Sequence, residues 1–144
     1  MNPRPVPILL AEDSEDDVLL LREAFAEARL ANVLHVVRDG QQALAWLRRE
    51  GEYRDAPRPG LVILDINMPK RDGFEVLREV KSDPRLAHLP ILILTTSQRE
   101  EDVVRSYALG ACSFLSKPVE FGRLHAMAAA LAVYWGGVAR IPAA

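Results

Sequence analysis

The sequence predicts an α/β fold in which helices cover both faces of a parallel β-sheet. Two observations support this prediction. Five short apolar segments of strand length, rich in Val, Ile and Leu, recur along the chain. Between them, and after the last one, lie segments whose apolar residues repeat with the period of a helix. Strand-then-helix units in succession are typical of a parallel sheet with right-handed crossover connections.

The predicted strands are apolar runs that end in polar residues. They cover residues 7–13, 33–39, 61–66, 90–97 and 112–117. The third run, LVILDI, has the composition of a strand buried on both faces, yet it carries the carboxylate of Asp65. An isolated buried carboxylate is costly unless it is compensated. We therefore expect Asp65 either at the open end of the strand or beside a cation.

The first three predicted helices carry recognisable start or stop signals. Residues 14–30 open with Ser14 as an N-cap and place acidic residues in the first turn, where the helix dipole favours them. Residues 40–50 place their apolar side chains on one face and end in cations. Residues 72–83 are amphipathic in the same way and stop before a proline. All three are expected to cover the sheet.

The last two predicted helices differ in composition. Residues 99–110 begin with acidic residues and end at Gly110, a residue suited to the left-handed position after a helix. Their apolar residues are expected to be buried: Val103, Tyr107 and Ala108. Residues 119–135 form an unusually apolar helix that ends before two glycines. This helix has more apolar surface than one sheet face requires.

Length and composition fit a single globular domain of 144 residues, 49% of them hydrophobic and 26% charged. A net charge of −2 without a block of Lys or Arg argues against a nucleic-acid surface. The single cysteine, Cys112, suits a reducing cytosol and is expected to be a small packed residue. No segment has the features of a signal peptide or a membrane span, so we expect a soluble cytoplasmic protein.

Polar residues follow four of the predicted strands. They are Glu12 and Asp13, Asp65 and Asn67, Thr95 and Thr96, and Lys117 with Pro118. In open parallel sheets ligands bind beyond the carboxyl ends of the strands, so these residues are expected to converge. Two carboxylates at about 4 Å repel by roughly 4 kcal/mol at an effective dielectric near 20, so three either raise their pKa values or bind a cation. Oxygen ligands and room for phosphate indicate Mg²⁺.

These motifs occur in the order typical of one family. They are ED at 12–13, DINMPKRDG at 65–73, Thr95 after an apolar strand, and KP at 117–118. Residues 6–135 thus resemble the receiver domain of two-component response regulators, with short tails at 1–5 and 136–144. The resemblance implies a doubly wound (βα)5, flavodoxin-like fold with a five-stranded parallel sheet in the order 2-1-3-4-5. The stretches RREGEYRDAPRPGLVILDINMPKRDG, LTTS and SYALGACSF look most like single-domain regulators that partner bacterial phytochrome sensor kinases.

The resemblance assigns a phosphoacceptor and a metal site. Asp65 would be the nucleophile that takes a phosphoryl group from a kinase phosphohistidine. Asp13 and Asp65 would bind Mg²⁺ directly, together with the main-chain carbonyl of Asn67, and Glu12 would act through a metal-bound water. The metal would screen the repulsion between the nucleophile and the incoming phosphate.

The resemblance also assigns phosphate-binding and switch residues. Lys117 would bring positive charge to the phosphoryl group and Thr95 would donate its hydroxyl. Phe114 matches an aromatic switch position, although an ordinary core role is compatible with it. Thr96 would either narrow the access of water to the phosphate or face outward. Pro118 is expected to follow a cis bond that aims the lysine inward.

The function expected from this resemblance is that of a phosphorylatable signalling module rather than a multiple-turnover enzyme. Its kinase would be a sensor histidine kinase, namely a bacteriophytochrome. One alternative is a receiver-like scaffold that binds partners without phosphorylation, but such proteins usually lack an acid or the lysine. Another is a Mg²⁺-dependent phosphatase, which generally needs a general acid where this chain has Asn67. Apolar residues of the last helix indicate contact with a second subunit: Met127, Leu131, Tyr134 and Trp135. The resemblance implies that this homodimer forms through helix 4, strand 5 and helix 5.

Overall fold

The computed structural model describes residues 7–28, 33–117 and 125–130. The strands are β1 (Ile8–Ala11), β2 (Leu34–Val37), β3 (Leu61–Leu64), β4 (Ile91–Thr95) and β5 (Ser113–Ser116). The helices are α1 (Glu15–Glu27), α2 (Gly40–Arg48), α3 (Gly73–Ser82) and α4 (Glu100–Ala108), with a 3-10 turn at Gly51–Tyr53. Residues 125–130 are helical and are called α5. Each strand and each α-helix lies within a segment that the sequence predicted.

The five strands form one parallel sheet in the order β2-β1-β3-β4-β5, which confirms the predicted order. Ala11 at the end of β1 is in register with Val37 and Leu64 at the ends of β2 and β3. On the other side of the sheet Thr95 of β4 is in register with Ser116 of β5. The carboxyl ends of the strands therefore meet at one edge, and the polar residues that follow them share it.

The core has two layers, one on each face of the sheet. Leu9 and Ile63 lie on opposite faces and are fully buried. The layer that contains Leu9 includes side chains of α2 and α3, and the layer that contains Ile63 includes side chains of α1 and Ala128 of α5. Because both faces are covered, β1 and β3 are apolar throughout. Each fully buried aliphatic side chain contributes about 1.5–3 kcal/mol to the stability of the folded state.

Side-chain caps fix the starts of helices near the shared edge. The hydroxyl of Ser14 accepts a hydrogen bond from the Asp17 amide at 3.4 Å, as the sequence predicted for α1. Asp72 accepts from the Glu75 amide at 2.9 Å and starts α3. Each cap satisfies an amide that has no partner within its own helix. The connections between the strand ends and the helices are thus held by local bonds.

Helix α4 is oriented differently from the prediction. The expected burial of three of its residues was wrong, because Val103 is only partly buried and Tyr107 and Ala108 are exposed. The buried residue is Ser106, whose hydroxyl donates to the Asp102 carbonyl at 2.7 Å. A small side chain lets the helix approach its neighbours closely, and its hydroxyl is satisfied within the helix. Val104 and Tyr107 consequently face outward, with 59% and 49% of their surface exposed.

The segment after α4 contains Gly110 and Cys112, for which the sequence made one correct and one incorrect prediction. Gly110 has a φ of 107° and follows α4 as predicted for a left-handed terminal position. Cys112, expected to be packed, is exposed. Other expectations lie outside the described residues: the bond before Pro118, the residues Leu131, Tyr134 and Trp135, and the tails at 1–5 and 136–144. Among the described helices none is both long and apolar enough to cross a membrane.

Replacing Gly73 by Ala is expected to destabilise the protein. A Cβ at this position would lie 2.4 Å from the Asp65 carbonyl oxygen and 2.7 Å from the Ile66 Cα, so the loop after β3 would have to move. Overpacking of this kind costs roughly 1–3 kcal/mol. Urea unfolding, with the wild-type protein as the reference, measures the loss. An unchanged unfolding midpoint for Gly73→Ala would contradict the prediction.

Candidate functional site

Asp65 lies directly after β3 at the carboxyl edge of the sheet. It is 6% exposed. Its Oδ1 accepts a hydrogen bond from the Asn67 amide at 3.1 Å, and its Oδ2 lies 3.2 Å from the Lys117 Nζ. The sequence predicted that Asp65 would lie either at the open end of the strand or beside a cation. In the structure the carboxylate does both.

Three carboxylates gather at this edge. Glu12, Asp13 and Asp65 each offer an oxygen, and these oxygens lie within 4.8 Å of one another. Glu12 is almost fully buried, and its Oε2 has no hydrogen-bond partner, whereas Asp13 is exposed. A buried carboxylate oxygen without a partner needs a cation or a donor to compensate its desolvation. The oxygen-only donor set, open to solvent at Asp13, fits a hard divalent cation.

Lys117 follows β5 and reaches across the edge of the sheet to the acids. Its ammonium group donates to Glu12 Oε1, to Asp17 Oδ2 at 2.9 Å and to Asp65 Oδ2 at 3.2 Å. The sequence predicted Glu12 and Asp65 as neighbours of this lysine but assigned Asp17 only to the first turn of α1. One signal was available, since Asp17 lies in the first turn of a helix that begins directly after the acidic pair and therefore starts at the same edge.

Burial and neighbouring charges act against each other on these groups. Burial raises the pKa of Glu12 to about 8, and the neighbouring Asp65 adds to this rise while Lys117 opposes it. Burial alone would lower the pKa of Lys117, but its hydrogen bonds to Glu12 and Asp17 and the charge of Asp65 raise it above its ordinary value. The lysine is therefore charged at neutral pH, and a metal-free site retains a proton on the acids.

The remaining predicted residues surround this centre at different depths. Thr95 is fully buried, and its Oγ1 lies 3.5 Å from the Asn67 Nδ2 and 3.5 Å from the Ser97 amide. Thr96 is exposed, which agrees with the outward-facing alternative. Phe114 is partly buried against the layer formed with α2 and α3. The structure thus brings Thr95 to the acidic edge and holds Phe114 in the adjoining core.

The metal-free protein is expected to lose stability as the pH rises from about 5 to about 8. The folded-state pKa of Glu12, about 8, lies above its ordinary value of 4.5, so the folded protein binds more protons than the unfolded chain in this window. Stability that depends on this proton is present at low pH and is lost as the pH rises. Chemical unfolding in a chelator measures the slope, and Glu12→Gln is expected to flatten it. Equal slopes for the two proteins would contradict this.

Comparison with known proteins agrees with this geometry. A family model described as the response regulator receiver domain matches residues 8–129. Response regulator Rcp1 of Synechocystis sp. is 41% identical over 143 residues, which are 99% of this chain and 97% of Rcp1. The crystal structure of the Mn²⁺-bound form of Rcp1 matches with a TM-score of 0.85 at 40% identity, over 96% of this chain and 100% of that one.

A phosphorylated relative is equally similar. The crystal structure of the phosphorylated cyanobacterial phytochrome response regulator RcpA matches with a TM-score of 0.86 at 40% identity, over 96% of this chain and 99% of that one. These relatives, matched over nearly their full length, are response regulators, which agrees with the expectation that this chain is not a multiple-turnover enzyme. On the evidence of the family model and of these relatives, the chain belongs to the receiver-domain family of response regulators.

Proposed function

We propose that this protein accepts a phosphoryl group on Asp65 from the phosphohistidine of a sensor histidine kinase. The observation that carries the proposal is that the Asp65 carboxylate belongs to the acidic cluster and lies 3.2 Å from the Lys117 ammonium group. A carboxylate is a recognised nucleophile for phosphoryl transfer. The lysine, together with a divalent cation held by the acidic cluster, would provide the charge compensation that an incoming phosphate requires.

Each residue has a defined part in this reaction. Asp65 attacks phosphorus through a carboxylate oxygen, and the bond from phosphorus to the kinase histidine breaks. Its other oxygen stays fixed by the Asn67 amide, which orients the nucleophile. Lys117 stabilises charge on the transferred oxygens. Thr95, with its hydroxyl at the same edge, donates to the phosphoryl group once it is in place.

Mg²⁺ is the proposed cation of the acidic cluster. The residues that would hold it are Asp13 and Asp65 directly, the main-chain carbonyl of Asn67, and Glu12 through water. The unpartnered, buried Oε2 of Glu12 supports a cation at this place. When bound, Mg²⁺ screens the negative charges of the nucleophile and the phosphate from each other. The Mn²⁺-bound form of Rcp1 supports a divalent cation in a relative.

The proposed kinase is a bacteriophytochrome. This rests on the similarity to RcpA, a cyanobacterial phytochrome response regulator, at 40% identity. The same proposal includes a receiver unit over residues 6–135 and a cytoplasmic location. It also includes the absence of nucleic-acid and membrane partners. Phosphorylation would then change a protein-binding face, in which Phe114 follows the shift of Thr95 toward the phosphate.

Labelling with a phosphoryl donor tests the proposed function. The protein is incubated with Mg²⁺ and labelled acetyl phosphate, or with an autophosphorylated bacteriophytochrome, and a chelator is added to a parallel sample. If neither sample of this protein takes label under conditions in which a control receiver is labelled, the result would favour the phosphorylation-independent scaffold. Steady phosphate release from many small esters would favour a phosphatase. Stoichiometric, divalent-dependent label on the protein is the expected result.

We also propose that the chain forms a homodimer through α4, β5 and α5. The outward orientation of Val104 and Tyr107 supports this, because two large apolar side chains remain exposed on one helix of that face. Sedimentation velocity at high micromolar concentration is expected to show a dimer that Val104→Asp dissociates. Leu19→Asp is the matched control, since Leu19 is 55% exposed on α1, a helix that is not part of the proposed face. Monomer throughout would contradict the proposal.

A further inference from the structure

Asp17 is the residue at this site that the proposed phosphotransfer reaction does not use. Its Oδ2 accepts a hydrogen bond from Lys117 Nζ at 2.9 Å. Its side chain is 37% exposed, whereas that of Asp65 is 8% exposed. It is not one of the three acids whose oxygens cluster as cation ligands. Asp17 is therefore tied to the lysine without belonging to the cation site.

The contacts of Lys117 limit what else it can bind. An ammonium group has three donors. In the described structure these donors meet the three carboxylates of Glu12, Asp17 and Asp65. A phosphoryl oxygen can take a full hydrogen bond from this lysine only when one of the three contacts is released. The contact with Asp17 is the one that neither the nucleophile nor the cation site needs.

The charge of Asp17 persists under the conditions of phosphotransfer. Partial burial is the largest single influence and would raise the pKa of Asp17. The hydrogen bonds from Lys117 and Glu12 and the charge of the lysine together outweigh it, so the pKa is lowered. With all four carboxylates ionised against one ammonium group, the site carries a formal charge of −3, and it would carry −2 without Asp17. The extra negative charge favours a divalent cation and disfavours a second anion such as phosphate.

We propose that Asp17 is a positioning residue that competes with the phosphoryl group for Lys117. It draws the ammonium group toward α1 in the unphosphorylated protein, which slows phosphoryl transfer to Asp65. The same contact draws positive charge away from the cation site, which strengthens the binding of a divalent cation there. This inference rests on the proposed role of Asp65 as phosphoacceptor.

The test compares Asp17→Asn with Asp16→Asn. Asp16 lies in the same turn of α1 and is exposed, so its replacement removes the same charge without a contact to the lysine. Relative to Asp16→Asn, Asp17→Asn is expected to take label from acetyl phosphate about two- to fivefold faster at saturating Mg²⁺. It is also expected to bind Mg²⁺ about two- to fivefold more weakly in calorimetry. A loss of structure would weaken both properties, so these opposite changes identify positioning.

A double-mutant cycle with Lys117→Met shows whether the lysine carries the effect. In that background Asp17→Asn is expected to weaken Mg²⁺ binding less than it does when the lysine is present, because only the direct effect of the lost charge remains. A full effect without the lysine would overturn the inference. If the wild-type protein is labelled and Asp17→Asn behaves like Asp16→Asn, only the role of Asp17 fails. If the wild-type protein takes no label, the proposed function fails, and competition with a phosphoryl group fails with it.

Discussion

Asp65→Asn is expected to abolish labelling by acetyl phosphate and by the kinase while the protein remains folded. The amide is nearly the same size as the carboxyl group, and its oxygen can still accept the hydrogen bond from the Asn67 amide. It is not a nucleophile at neutral pH, so no bond to phosphorus forms. Removing one of three clustered carboxylates also relieves a repulsion of about 4 kcal/mol per pair at 4 Å and an effective dielectric near 20. The unfolding midpoint should therefore not fall greatly.

The control for this experiment is Asp55→Asn. Asp55 is exposed in the segment before β3, so this variant changes the net charge equally without touching the site. It is expected to take label at the wild-type rate. Label on Asp65→Asn at that rate would place the phosphoacceptor on another residue. Autoradiography of the gel, with circular dichroism to verify folding, distinguishes these results.

Lys117→Met is expected to destabilise the metal-free protein by about 3 kcal/mol near pH 8. The substitution keeps the length of the side chain but removes the charge that compensates Glu12 and Asp65, both of which are buried. Without the ammonium group the pKa of Glu12 rises further above about 8. The folded protein then holds a proton that the unfolded chain releases above about 4.5, so the loss of stability is small near pH 5 and grows as the pH rises.

Urea unfolding at low and high pH, in a chelator and in Mg²⁺, measures this dependence. Mg²⁺ is expected to restore part of the stability at high pH, because it binds the folded state preferentially. Lys81→Met is the matched control. Lys81 is also partly buried, but its Nζ donates to the carbonyl oxygens of Ala87 and Leu89, which do not titrate. We expect the loss of stability in Lys81→Met to vary little with pH. If the loss of stability in Lys117→Met varied equally little, that result would contradict the proposed charge compensation.

Local patterns in the sequence predicted most of the fold. The strand at Leu61–Leu64 is fully apolar because both faces of a central parallel strand are covered. Ser14 was predicted as an N-cap because a hydroxyl followed by acids suits only the start of a helix. Such features depend on neighbouring residues, so they can be read from a single chain. The strand order came from the resemblance to a family, because spacing alone does not fix which strands pair.

The buried face of α4 shows where local patterns fail. Val103 and Tyr107 have helical spacing and were expected to face inward, yet Ser106 is the buried residue. Which face of a helix packs depends on how closely the helix can approach the elements beside it. A serine that bonds to its own helix is as acceptable there as an apolar residue. Tertiary packing therefore decides which face of α4 is buried, and the spacing of its apolar residues does not predict that face.

The sequence by itself determined the strands, the helix starts and the set of polar residues that follow the strand ends. Only the tertiary structure decided how their charges compensate one another. Lys117 meets Asp17 across 100 residues of chain and Glu12 across 105. The raised pKa of Glu12 likewise depends on burial beneath the assembled edge. Electrostatic energies depend on distance and desolvation in space, and neither quantity exists until the strands have come together.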